Sequence, residues 1–331
     1  MARKCVVLVL VAVIGLGISS VRAGSAEWVL KAGHVLPVDH PYHLGYQRMD
    51  EELKKRSGGR ITLEIYPNSQ LGNERDLFEG CQIGTVDLAI GATAPLANFT
   101  QDFLVFDLPY LFVTKDHAYA ALDGQFGIDK LASLEDHDMI GLSFWEVGYF
   151  HLLQNRRPIT KIEDAKGMSI RVMENVLFME MIKALDANPV PMAWSEVFTS
   201  IQNGTVDGTS NPIVTIFTSK LYTVAKYFTL TDAIYSPAPL IMSKETYDSM
   251  PPDMQQLMRD VANEVKVYQR ALFREFEERA LRQMAEEGVE ITTIADKEPW
   301  SRLMKEKIWP NYVGSKIDKE DVDLVESFLS K

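Results

Sequence analysis

From Arg60 to Tyr66 (R-I-T-L-E-I-Y) apolar and polar residues alternate strictly, the pattern of a strand with one face on a core. The runs around it complete a unit. Glu27 to Val35 reads as a first strand, and Tyr42 to Arg56 as an amphipathic helix stopped by Ser57-Gly58-Gly59. Asn73 to Ile83 reads as a second helix closed by Gly84, and Val86 to Ile90 as a third strand. This β-α-β-α-β order predicts an α/β fold, with a parallel sheet and ligand-facing loops at its strand ends.

The second half is less regular. Met139 to Trp145 starts another strand, and Thr160-x-x-Glu163 reads as a capping box around a single turn. Ile170-Arg171-Val172 is a short β-type run after Lys166-Gly167, and Ser195 is a natural N-cap for a helix ending at Asn203-Gly204. Lys226 to Thr231 and Ile234 to Met242 read as two strands that return the chain to its first lobe. From Pro251-Pro252 to Gly288 one helix carries Leu257, Val261, Val265, Tyr268, Leu272, Phe276 and Met284 at helical spacing. It makes a rod of about 50 Å, long enough to cross two lobes.

The N-terminus predicts export. Arg3 and Lys4 precede an apolar run from Cys5 to Ile18, and Val21-Arg22-Ala23 has the form of a cleavage site, with Gly24-Ser25-Ala26 as a second. The apolar core is short for a membrane span. Residues 1–23 are therefore read as a cleaved signal peptide, which places a soluble mature chain without a membrane anchor in the periplasm. Loss of Arg3, Lys4 and Arg22 leaves 31 basic against 46 acidic residues, so the net charge goes from −12 to −15. Such a surface excludes nucleic acid as a partner, because phosphate binding needs clustered Lys and Arg. It also repels anions at long range, so capture of one must rest on local donors. Cys81 is left without a disulfide partner and reads as packing.

Arg171 is the residue on which the functional reading turns. A guanidinium inside a predicted strand needs an anionic partner, yet no Asp or Glu lies within two residues. Either a distant carboxylate of the chain pairs with it, or it awaits a ligand carboxylate that it can grip with two parallel hydrogen bonds.

A set of motifs carries a family resemblance. In order they are Ser57-Gly58-Gly59-Arg60, Pro67-x-x-x-Leu71-Gly72-x-Glu74, Gly84-Thr85-Val86-Asp87 and Phe106-Asp107-Leu108-Pro109-Tyr110-Leu111-Phe112. Arg157-Pro158-Ile159, Gly167-Met168-Ser169-Ile170-Arg171-Val172, Ser195-Glu196-Val197-Phe198 and Gly204-x-Val206-Asp207-Gly208-x-x-Asn211-Pro212 follow. Through them the chain resembles the extracytoplasmic solute-binding proteins of TRAP (tripartite ATP-independent periplasmic) transporters, of the dicarboxylate-binding type. The resemblance implies a two-lobed, type II periplasmic-binding-protein-like α/β fold, with mixed sheets flanked by helices and a long C-terminal helix spanning both lobes. It implies lobes at 24–148 plus 237–275 and 149–236 plus 276–331, hinging near 148–150 and 235–240. It also implies one organic-acid ligand and a small and a large membrane permease subunit as partners. Arg171 matches the arginine that grips the ligand carboxylate, Asn211 the asparagine that bonds the same group, and Trp194 an aromatic that packs on the ligand. Without the resemblance Asn211 reads as a turn residue before Pro212, and Trp194 as core. Glu74 and Thr93 complete the expected ligand-binding set, together with Phe150 and Trp145.

One departure bears on the ligand. Where the family usually has Gly-aromatic-Arg, this chain has Gly148-Tyr149-Phe150, followed by His151. Loss of a cation there removes a partner for a second carboxylate, and the ring favours an apolar body. The expectation is an aromatic or otherwise apolar monocarboxylate, such as an aromatic amino acid or its 2-oxo acid. A C4-dicarboxylate or sugar acid is the alternative within the same transporter class. A periplasmic sensor partner and a secreted hydrolase are the further ones. Enzyme readings find no support in motifs: the six histidines form no H-E-x-x-H, and no G-x-S-x-G elbow, P-loop or helix-preceding G-x-G-x-x-G occurs. His34, His40 and His43 read as part of a loop near a cleft mouth, without metal, and no cofactor is expected.

Overall fold

The computed structural model describes residues 26–330, so the expected signal peptide lies outside the described residues. The first unit forms as its pattern predicts. Strand β1 (Trp28–Gly33) is followed by helix α1 (Pro41–Arg56), β2 (Ile61–Tyr66), α2 (Glu74–Gln82) and β3 (Leu88–Ile90). Both β2 and β3 pair with β1 in parallel. The short helix α3 (Thr93–Leu96), the 3-10 segment Gln101–Asp107 and helices α4 (Lys115–Asp123) and α5 (Gln125–Ala132) then lead to β4 (Met139–Gln154).

Beyond β4 come β5 (Ser169–Val172), α6 (Val176–Ala184), β6 (Asn188–Pro191), α7 (Val197–Gln202), β7 (Gly208–Pro212) and α8 (Ile213–Thr218). Strand β8 (Tyr227–Ser243), α9 (Lys244–Asp248), α10 (Pro252–Glu286) and β9 (Glu290–Thr293) follow. Helices α11 (Glu298–Lys307), α12 (Trp309–Tyr312) and α13 (Lys319–Ser327) end the chain. One sheet runs in the order β2-β1-β3-β8-β4-β7-β5-β6, with β9 on β8. It is mixed: β3, β4, β7 and β8 meet antiparallel, and the outer pairs are parallel. The long strands β4 and β8 form a ribbon shared by both halves. Their register slips between Glu146 and Gly148, where Gly148 takes a φ of +97 that a side chain would strain.

Several local readings change. The segment expected as two strands, before and after residues 232–233, is the single strand β8. The turn after Thr160 is capped by Asp164 rather than Glu163: its Oδ2 accepts from Thr160 N, Thr160 Oγ1 and Lys161 N. Ser195 sits within the 3-10 turn Trp194–Glu196, and α7 begins without a side-chain cap. On α10, Met258, Val261, Val265, Phe273, Phe276 and Met284 face the core, whereas Tyr268 is exposed. That helix packs on α1, β4 and α8. It is keyed to the ribbon by buried Gln269, which exchanges hydrogen bonds with the backbone N–H (2.9 Å) and C=O (3.0 Å) of Glu146. Cys81 is buried as packing. No helix among the described residues is long and apolar enough to cross a membrane.

Candidate functional site

Arg171 lies on β5 between β6 and β7, in register with Val190 and Thr209. Its side chain is 2% exposed. Nε and Nη2 both donate to the Met192 carbonyl, at 3.1 and 2.8 Å, so one edge of the guanidinium is docked on the main chain. Nη1 donates to Asn211 Oδ1 at 3.4 Å, and the group lies 5.7 Å from the centre of the Trp194 ring. Among the described residues no carboxylate forms an ion pair with it. Burial pulls its pKa down to about 10, against the more distant Glu74, Glu174 and Glu196, so it stays charged at neutral pH. The Nη1–Nη2 end of the fork carries the remaining planar donors.

Asn211 is fixed beside that end. It lies on β7, opposite His151 of β4, and its Oδ1 also accepts from Thr209 Oγ1 at 2.6 Å. That bond fixes the amide so that its Nδ2 points away from Thr209. The sequence G-T-S-N-P looks like a loop, yet it forms a fully buried strand inside the sheet. Its place between β4 and β5 supplies the pairing that glycine and proline do not advertise.

These two residues open on a cavity of about 30 Å³. Glu74, Phe150 and Trp194 line it too, as the sequence analysis expected, with Tyr42 and Thr215 as further polar groups and Val35, Leu36, Ala92, Val147, Met173 and Pro212 as apolar ones. Glu74, at the first turn of α2, accepts the Ala92 N–H at 2.9 Å. Burial raises its pKa, while that hydrogen bond and Arg171 oppose the rise. Phe150 packs edge-on against Phe178 at 4.9 Å between centroids. Walls this close hold little more than a pair of waters, so entry of an organic acid requires them to part.

Two expected site residues stand elsewhere. Trp145 is fully buried against Tyr46 and Gly45 of α1 and does not line the cavity. Thr93 is buried behind the wall, where its Oγ1 bonds Asp107 at 2.7 Å and Ser236 at 3.0 Å. His151 is a core histidine: Nδ1 accepts from Asp232 N at 3.3 Å, and burial lowers its pKa to about 4. The His34, His40 and His43 group is buried rather than displayed at a mouth, with His34 Nε2 and His43 Nδ1 3.1 Å apart. No group of ligands able to hold a metal occurs among the described residues. Tyr42, Met173 and Thr215 were not foreseen. Tyr42 carried the only usable signal, an aromatic at the start of an amphipathic helix beside a strand end.

Comparison with known proteins agrees with this architecture. A family model described as "Bacterial extracellular solute-binding protein, family 7" matches residues 32–313. The C4-dicarboxylate-binding periplasmic protein DctP of Rhodobacter capsulatus is 31% identical over 289 residues, 86% of each chain. The crystal structure of a sugar acid binding protein from Advenella mimigardefordensis in complex with galactonate superimposes with a TM-score of 0.87 at 31% identity, covering 92% of this chain and 99% of that one. A TRAP periplasmic solute binding protein from Bordetella bronchispeptica, with density assigned to pantoate, gives 0.86 at 34% identity, covering 91% and 98%.

Proposed function

The chain belongs to the bacterial extracellular solute-binding proteins of family 7, and from that premise we propose that it captures a monocarboxylic acid on Arg171 and Asn211. It is a TRAP solute-binding protein for organic acids and not an enzyme. The observation that carries the finer reading is the buried Arg171 guanidinium, which has main-chain and amide partners but no carboxylate. A buried charge left in that condition costs several kcal/mol, which a ligand carboxylate would offset.

Glu74 bears on what else the ligand carries. A second carboxylate would meet it in the same cavity without a second cation, since Phe150 stands where one was expected. The apolar walls, Phe150 and Trp194 suit an aromatic or otherwise apolar body. A second reading, a polyhydroxy acid, is favoured by Glu74, Tyr42 and Thr215, which can accept from or donate to hydroxyls. The galactonate and pantoate neighbours point the same way.

In this reading residues 1–23 direct export to the periplasm, and the loaded protein passes its ligand to small and large permease subunits. The lobes are 24–148 plus 237–275 and 149–236 plus 276–331, and they hinge where β4 and β8 cross. The slipped register and positive φ at Gly148, opposite Ser236 and Pro237, support that placement. Small-angle scattering should then show a more compact particle at saturating ligand than without it, and an unchanged radius of gyration would speak for a rigid site. Thermal-shift screening of galactonate, pantoate, succinate and a phenyl- or indole-bearing 2-oxo acid tests the choice of ligand. A ligand at 1,000 times its Kd stabilises by about 4.1 kcal/mol. Stabilisation by succinate alone would overturn the monocarboxylate reading.

A further inference from the structure

Behind the ligand cavity a second polar cluster is sealed from water. The Asp107 carboxyl meets Thr93 Oγ1 at 2.7 Å and Asn175 Nδ2 at 2.9 Å. Asn175 Nδ2 also donates to the Ala94 carbonyl at 3.2 Å, and at the exposed rim outside this cluster Asn98 Nδ2 donates to the Glu174 carbonyl at 3.0 Å. Asp107, Thr93 and Asn175 are all buried. The Asn175 Oδ1 caps α6 by accepting from Leu177 N at 2.8 Å, so the amide cannot turn and its Nδ2 is committed to the far segment. Each joined segment carries one wall of the cavity. Ala92 precedes Thr93 directly, and Arg171 and Met173 lie four and two residues before Asn175.

We infer that Asn175 and Asp107 are positioning residues for ligand capture, a latch that holds the Ala92 wall against the Arg171–Met173 wall. The inference rests on the reading of this cavity as the ligand site. The bonds reach between parts of the chain some 70 residues or more apart, so they form only when the walls meet. Breaking one leaves a buried polar group unpartnered.

Acid–base behaviour supports the latch. Burial lifts the Asp107 carboxyl to about 8, while Thr93 and Asn175 pull it the other way. The groups facing it are the Thr93 hydroxyl from α3, the Asn175 amide at the start of α6 and, behind Thr93, the Ser236 hydroxyl of β8. None of these titrates. When the walls part and water enters, the carboxyl returns toward its ordinary value. The closed form therefore retains a proton that the open form releases, so closure weakens as pH rises from the ordinary carboxylate range to about 8 and is level above that.

Spin labels on Val38→Cys and Phe198→Cys read the latch without any ligand. Both side chains are exposed, while Cys81 is buried. Asn175→Asp keeps a capping oxygen but sets a second carboxyl against Asp107. It should move the distance distribution to longer separations at pH 7, and Asn175→Ser should do so less. The wild type should lengthen steadily between pH 5 and pH 8 and hold level above that, and Asp107→Asn should not change. An Asn175→Asp distribution identical to that of the wild type would overturn the latch. Titration with galactonate and pantoate then separates the two readings. The latch predicts tenfold or greater loss of affinity in Asn175→Asp through faster dissociation, and wild-type affinity in that variant would contradict it. Failure of the wild type to bind either acid would strike at the ligand reading, while the distance result still decides the latch.

Discussion

Arg270 and Arg171 are both buried guanidinium groups, 7% and 2% exposed, and the chain treats them in opposite ways. Arg270 on α10 grips Asp123 with two hydrogen bonds, at 2.7 and 3.2 Å, and also donates to the Phe144 carbonyl at 2.8 Å. It fastens the long helix to β4. Nearby, Glu146 is paired with Lys115 at 2.9 Å. Arg171 has one carbonyl, one amide oxygen and a tryptophan face, with an open end toward the cavity. The same residue type, buried in both places, is a fastener in one region and is left without a carboxylate partner in the other. The difference lies in whether a carboxylate of the chain is within reach.

Removing each arginine should separate the two roles. The largest effect is expected for Arg171→Met: affinity for an acid ligand falls 100-fold or more, while the thermal midpoint holds or rises, because an uncompensated charge leaves the interior. Calorimetry paired with thermal unfolding reads both, and a midpoint several degrees lower would place Arg171 with the fasteners. Arg270→Met should do the reverse. We expect a loss of about 2 kcal/mol of stability, less than for a fully buried pair because Asp123 is 41% exposed, with affinity within twofold of the wild type.

Changing the cavity's charge sharpens the contrast further. Phe150→Arg restores the expected second cation and should shift preference toward succinate by about tenfold relative to a monocarboxylate, given about 1.5–3 kcal/mol for a charged hydrogen bond. A preference that does not move would show that Phe150 has no part in selection. The smallest effect concerns the histidines. Burial lowers His34 to about 3 and His151 to about 4, from 6.5. The unfolded chain takes up these protons first, so their contribution to stability is complete above about 6.5 and is lost as pH falls toward 4. Denaturation midpoints should fall over that window, while ligand affinity should show only the gradual decline with rising pH that Asp107 imposes and no step of its own near 6.5. A step in affinity near pH 6.5 would mean that a histidine faces the ligand.

The first half of the fold was legible because each element carries its own period and stop signal, as Arg60 to Tyr66 and Ser57-Gly58-Gly59 do. Strand β7 was not legible, because Gly208, Ser210, Asn211 and Pro212 have little strand preference and are held there by β4 and β5 on either side. For the site, Arg171 stood out because a cation in an apolar run contradicts its surroundings. Trp145 misled because only the tertiary fold shows that its stretch of β4 packs under Gly45 and Tyr46 of α1 and not against the cavity. Tyr42 was missed because only the tertiary fold brings the start of α1 to the end of β5.

The central claim, that Arg171 holds the ligand carboxylate by its planar fork, is tested most directly by Arg171→Lys. This variant keeps the positive charge and removes the two-point grip. Isothermal calorimetry with the acid that most stabilises the wild type should show affinity reduced 100-fold or more in a folded protein. Wild-type affinity in Arg171→Lys would contradict the claim.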